Sequence, residues 1–196
     1  FVIHGGGLDL IFPHHENEIA QAEAAGRPFA QLWVHNGLLT VNGQKMSKSL
    51  GNFITLRDLF EKAEPEVVRF YFLKTHYRSP LDFSWEGLDE ARRAYEGFEL
   101  FFGRHEAGTD SELLLKDTSP FARRFLEAMD DDLNTPEALS AAHALLTACN
   151  KKAKGVSLHL LSKMLGVLGV MPAPREDALE PRIEGMIRER DEARRR

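Results

Sequence analysis

The chain opens on a short apolar run, Phe1-Val2-Ile3, that passes straight into His4-Gly5-Gly6-Gly7. The run is strand material, and three glycines bring it into a turn where the backbone carries no side chains. A strand of this kind followed by helix-forming sequence is the entry to an α/β unit, whose ligands approach the carboxyl ends of the strands. The following segments keep that order. After Pro13, His14 to Ala25 is rich in helix formers and halts at Gly26, a good C-cap. Leu32 to Val41 is a second β-type segment. Asn42-Gly43 closes it with a dipeptide suited to a type I′ turn and leads into Lys45-Met46-Ser47-Lys48-Ser49.

From Leu56 the pattern turns helical. Pro65 opens one helix to Leu73, and Trp85 to Phe102 forms a longer amphipathic one. Gly103 to Asp117 is polar and irregular, a linker. Further helices are predicted over Pro120 to Met129, Pro136 to Lys152, Leu158 to Leu168 and Pro181 to Arg196. Ser119-Pro120 and Thr135-Pro136 each set a capping residue before a proline at the first helical position. The fold class is therefore α/β followed by all-α. With 43% hydrophobic and 28% charged residues in 196, the chain belongs to neither the disordered nor the fibrous classes. No apolar run approaches the roughly 18–20 residues of a spanning helix. The single cysteine, Cys149, rules out an internal disulfide and a Cys-rich metal scaffold, which points to the cytoplasm. The first residues read as the middle of a strand, with no leader.

Three groups of residues carry candidate chemistry. Gly6 and Gly7 let a ligand approach the backbone, and Asp9 beyond them is placed to accept from ribose hydroxyls; a tight turn with a solvated acid is the plainer alternative. His14 and Glu18 are four apart on one helical face and offer half of a tetrahedral zinc site. Ile19 stands where a metalloprotease would have its second histidine, and on local evidence a polar helix start is the better account of the pair. Lys45 and Lys48, separated by small polar residues that include Ser47, form a cationic loop suited to a triphosphate.

Taken together, these motifs resemble the class I aminoacyl-tRNA synthetases, cysteinyl-tRNA synthetases in particular. Lys45 to Ser49 matches the KMSKS signature letter for letter, and His4 through Glu18 resembles the cysteine enzymes' own signature. The likeness continues through Asn52-Phe53, His76-Tyr77-Arg78-Ser79 and Asp130 to Ala138. It implies that residues 1–55 are the C-terminal part of a Rossmann-type catalytic domain, 56–85 a stem-contact region, and 86–196 a tRNA-facing helical bundle. It further implies that Lys48, supported by Lys45 and Ser47, contacts the phosphates of ATP with its magnesium. Gly6, Gly7 and Asp9 would hold the adenosine, and His4 would lie beside the amino acid. His14 and Glu18 would be two of four zinc ligands, two cysteines upstream of Phe1 supplying the rest. Zinc favours sulfur ligands, so such a site selects cysteine over serine.

The resemblance implies cysteine, ATP and tRNA(Cys) as partners, a monomer at full length and no membrane. Cys149 reads as a helical core residue, not a replacement ligand. The ATP motif of the family would precede Phe1 and the anticodon-binding region would follow Arg196. Weak zinc affinity and no cysteine-dependent ATP–pyrophosphate exchange are therefore expected of the chain alone. Two other readings stand beside this one: the related cysteine ligase of mycothiol synthesis, and a non-catalytic RNA- or protein-binding module. His76, Tyr77 and Arg78 are equally suited to contacting an acceptor stem or to a loop packing against the catalytic domain. The Asp130-Asp131-Asp132 run reads as structural, and His35 as a packed histidine or part of the active-site floor.

Overall fold

A computed structural model describes residues 1–105, 119–151 and 158–173, with Lys48 described by its backbone only. The predicted helix over Pro181 to Arg196 and most of the predicted linker lie outside the described residues. Strand β1 (Ile3–Gly7) pairs in parallel with β2 (Leu32–Asn36), in the register Ile3 to Leu32 through Gly7 to Asn36. Between them the chain makes a 3-10 turn, Leu8–Leu10, a π-helical turn, Ile11–His15, and helix α1 (Glu16–Ala24). Gly26, at φ 70°, ends that helix in the left-handed region, where a side chain would be strained.

The segment Leu32 to Val41, read from sequence as one strand, is two. Gly37 is buried with its Cα against the Ser79–Pro80 backbone, so tightly that a Cβ would collide with the Ser79 carbonyl. The chain breaks there and β3 (Leu39–Val41) enters a second sheet, between β4 (Gln44–Lys45), antiparallel, and β5 (Leu81–Phe83), parallel. Asn42 and Gly43, at φ 52° and 73°, make the primed hairpin turn expected of them. Asp82 of β5 fastens that hairpin by accepting from Thr40 Oγ1 and Gly43 N, both at 2.7 Å.

Helices follow: α2 (Leu56–Phe60), α3 (Pro65–Leu73), α4 (Trp85–Phe102), α5 (Pro120–Asp130), α6 (Thr135–Asn150) and α7 (Leu158–Leu168). Thr55 and Asp58 close a capping box on α2, and Ser119 caps α5 through Ala122 N. On α6 the cap is one residue earlier than predicted. Asn134 Oδ1 accepts from Glu137 N at 3.2 Å, so Thr135 is already helical.

These helices share one core. Phe70, Tyr95 and Phe98, each at most 2% exposed, meet at its centre, with His143 4.5 Å from the Phe98 ring. Burial holds the His143 imidazole below its usual range. Cys149 packs partly buried against the same core, and burial pushes its thiol up, as suits a packing residue. Val41 and Phe83 anchor the second sheet to this cluster, whereas no apolar residue before Val41 is fully buried. No helix among the described residues is long and apolar enough to cross a membrane.

The core sets a first test. Phe98→Ala should cost about 3–5 kcal/mol, the usual range for emptying a buried phenylalanine site. Urea denaturation followed by helical circular dichroism reads it, and a loss below about 1 kcal/mol would remove Phe98 from the centre of the core.

Candidate active site

The first sheet and the helix after it bring three imidazoles to one carboxylate, with a fourth, His35, behind His15. Because β1 and β2 run in register, His4 stands opposite Trp33 and Gly6 opposite His35 on one face. The turn after β1 then folds His15 beneath that face. Gly6 makes this possible: a Cβ there would meet His15 Cε1 at 3.0 Å and Leu10 Cδ1 at 2.9 Å. His15 is 3% exposed, and its Nδ1 lies 2.9 Å from His35 Nε2. Burial, then the neighbouring His4, holds its imidazole below the usual range, although Glu18 works in the opposite sense.

Glu18, in the first turn of α1, reaches back to this group. Its Oε2 lies 3.0 Å from His4 Nε2 and 4.0 Å from His15 Nε2, while Oε1 lies 3.7 Å from His14 Nε2. The i, i+4 pairing of His14 and Glu18 expected from the spacing is present. His14 itself is 59% exposed on its side chain. Oε2 is buried and makes no hydrogen bond among the described residues, an arrangement costly for a carboxylate oxygen with nothing else to bind. Ligand atoms of His4, His15 and Glu18 all lie within 4.8 Å of one another. Imidazole nitrogens and a carboxylate oxygen this close together are donors of the kind zinc takes, so the chemistry of these residues fits the metal.

Aromatic rings pack against one side of the cluster. Trp33 stacks parallel on His35 at 6.0 Å and edge-on to His4 at 4.9 Å, and Phe29 packs on both Trp33 and His4. His15 and Phe29 were not singled out from the sequence. His15 is adjacent to a flagged residue but carries no spacing signal of its own. Phe29 reaches the site only through tertiary folding. At the mouth, Gly6 and Gly7 are partly exposed and Asp9 is exposed, its carboxylate turned back against the Gly7 backbone.

Lys45, Ser47 and Lys48 stand on the other sheet, beyond the β3–β4 hairpin. Lys45 is exposed at the end of β4, and Lys48 begins a 3-10 turn to Leu50. Asn52 ties this loop into shape: Oδ1 accepts from Ser47 N at 2.8 Å and Nδ2 donates to Lys45 O at 3.2 Å. Ser47 Oγ lies 3.1 Å from Ser49 Oγ and accepts from Leu50 N. The hydroxyls thus organise the loop, and the Lys45 side chain stands exposed beside it.

His76, Tyr77 and Arg78 form the turn before β5, and they face the chain itself. Tyr77 Oη donates to Asp132 Oδ1 at 2.7 Å; Arg78 binds the same carboxylate through Nε and, at 2.9 Å, through Nη2. His76 Nε2 lies 3.9 Å away. Within the protein the turn packs against Asp132 of the α5–α6 connection as well as against Gly37 at the end of β2. The Arg78 and Tyr77 hydrogen bonds lower the Asp132 carboxyl from 3.8 to about 2.

A family model described as the class I (C) tRNA synthetase catalytic domain matches residues 1–93, and a DALR domain model matches 124–171. The chain is 46% identical over 202 residues to a cysteine--tRNA ligase of Persephonella marina, covering 93% of this chain and 42% of that protein. It is 53% identical over 162 residues to that of Aquifex aeolicus (76% and 32%) and 44% identical over 221 residues to that of Thermus thermophilus (100% and 45%). It thus spans less than half the length of these curated relatives. Among solved structures, an Agrobacterium radiobacter LeuRS–tRNA–LeuAMS complex superimposes with a TM-score of 0.63 at 19% identity, over 85% of this chain and 24% of that one. A methionyl-tRNA synthetase of Mycobacterium tuberculosis bound by methionyl-adenylate gives 0.56 at 20%, over 87% and 40%. Those two likenesses speak for the fold.

Two predictions follow from this geometry. Gly6→Ala should push His15 from beneath β1, shifting the His15 and His35 ring resonances while α5–α7 amides stay in place; unshifted rings would refute the close approach. Asp132, held low, makes a small, solvent-screened contribution to stability that is complete above pH 3.8 and is lost as pH falls through about 2. Asp132→Asn should therefore flatten the acid unfolding curve across that window and leave it unchanged near neutrality in shape. Motif, fold and relatives agree, and the chain belongs to the cysteine--tRNA ligase family of class I tRNA synthetases.

Proposed function

We propose that this chain provides the cysteine-sensing part, the phosphate loop and the tRNA-facing helices of an enzyme that attaches cysteine to tRNA(Cys). One observation carries the reading: a buried Glu18 oxygen without a hydrogen bond faces imidazole nitrogens, in a chain whose relatives are named cysteine--tRNA ligases. Residues 1–55 act as catalytic domain, 56–85 as the stem-contact region and 86–196 as the helical bundle lying against tRNA. The protein works in the cytoplasm as a monomer.

The reaction has two steps. A carboxylate oxygen of cysteine attacks the α-phosphorus of ATP and pyrophosphate leaves. A hydroxyl of the terminal ribose of tRNA then attacks the acyl carbon and AMP leaves. The chain's residues chiefly position and stabilise charge. Gly6 and Gly7 admit the nucleotide to the strand end, and Asp9 accepts from its ribose. Lys48, with Lys45 and the Ser47 hydroxyl, offsets the negative charge that gathers on the departing pyrophosphate, a task magnesium would share when bound. His4, from β1, lines the amino-acid side of the pocket. His14 and Glu18 would hold zinc with ligands from outside the chain, and His4 and His15 stand near enough to share in orienting it. When bound, zinc supplies a soft Lewis acid that prefers thiolate to hydroxyl. Trp33 and Phe29 pack edge-on to His4 and cover that side of the pocket.

Extended to the length of its relatives, the protein should catalyse cysteine-dependent ATP–pyrophosphate exchange. Lys48→Ala should lower that exchange about 10²–10³-fold, as removal of a charge-stabilising donor does elsewhere. Absence of exchange with cysteine in the extended protein would overturn the reading. The chain alone should give no exchange and should lose zinc to a mild chelator; stoichiometric retention would show that His4, His14, His15 and Glu18 suffice without further ligands.

A further inference from the structure

We propose that Asp132 is a positioning residue for the β1–β2 site, acting through the 76–79 turn on the end of β2; this rests on the function proposed above. The connection from α5 to α6 is unusual. Asp132 and Leu133 are consecutive non-glycine residues in the left-handed region, at φ 54° and 55°. Leu133 N and Asn134 N bond back to Met129 O and Ala128 O of α5, and Asn134 caps α6. Locally this turn needs no carboxylate at position 132. The strained backbone aims one all the same, and it collects Tyr77 Oη, Arg78 Nε and Nη2, with His76 Nε2 nearby.

Such an exposed pair adds little to global stability. Its fork geometry does restrict orientation, because a guanidinium and a carboxylate meeting through two bonds define a plane. What it orients is a turn already closed by Ser79 N donating to His76 O at 2.8 Å. That turn grips the end of β2. Tyr77 O accepts from Gly37 N at 2.7 Å, the Ser79–Pro80 backbone lies on the Gly37 Cα, and Leu81 N donates to Leu38 O at 2.9 Å. His35, two residues before Gly37, is the partner of His15, which stands beside Glu18. From Asp132 to the carboxylate of Glu18, then, every step is a hydrogen bond, a close ionic approach or one or two residues of chain. Asp132 therefore ties the frame of α5 and α6 to the strand that floors the site.

The test compares Asp132→Asn, which keeps shape and tolerance of the left-handed region, with Asp132→Gly, which relieves the backbone and removes every contact. In the chain itself, amide exchange at Gly37 should quicken, up to about tenfold in the glycine variant, as expected for losing roughly one net hydrogen bond. Exchange at the Val170 amide, bonded to Leu165 O at the end of α7, should not change. In the protein extended to its relatives' length, kcat for exchange should fall with KM for ATP unchanged. Arg78→Lys, which keeps charge but loses the fork, should repeat the fall, and Tyr77→Phe should give a smaller one. Unchanged exchange at Gly37, or equal acceleration at Gly37 and Val170, would overturn the proposal, as would a kcat that Arg78→Lys leaves intact. Failure of the unsubstituted extended protein to support exchange would instead sink the functional reading, and the Gly37 result would still decide the tie.

Discussion

Phe70, Tyr95 and Phe98 meet in a water-free centre, and the better-packed parts of the chain are arranged about it. The arrangement extends to the phosphate loop. Val41 and Phe83 bury themselves at the edge of this core, Tyr71 Oη donates to Asp82 O, and Asp82 fastens the hairpin that presents Lys45. Tyr95 Oη bonds Val170 O and draws the chain beyond α7 onto the same centre. Apolar burial thus holds the second sheet in place.

The first sheet is held differently. Residues 1–40 place no apolar side chain fully in the core, and Ile3 and Leu32 remain 61% and 58% exposed. Parallel strands are usually covered on both faces, and here one face is covered by aromatic and imidazole rings. The interactions that hold this sheet are therefore the ones that build the site: the His15–His35 bond, the ring stacking on Trp33, and Glu18 reaching back from α1. A cluster that carries both structure and chemistry is sensitive to small shifts, so its remaining attachment, through Gly37 to the 76–79 turn, matters out of proportion to its stability.

Much of the fold was legible in local sequence because local rules govern it. The type I′ turn at Asn42-Gly43, the left-handed stop at Gly26 and the prolines opening α3 and α5 follow from backbone preferences that need no distant partner. The His14–Glu18 pair was legible for the same reason, since helical spacing alone brings the two together. The break of Leu32 to Val41 at Gly37 was not, because its cause is the Ser79 carbonyl more than forty residues away. Nor was the partnership of Arg78 with Asp132, whose separation in sequence is 54.

By itself, then, the order of residues determined the glycine turn, the lysine loop, the carboxylate and imidazole on one helical face, and the family to which these motifs belong. Tertiary structure decided which imidazoles share Glu18, that one oxygen of its carboxylate is buried, and that the Arg78 guanidinium is bound to an aspartate. The physical reason is the same throughout. Spacing along a helix or turn is set by backbone geometry over a few residues, whereas desolvation and pairing depend on which distant surfaces fold together and exclude water.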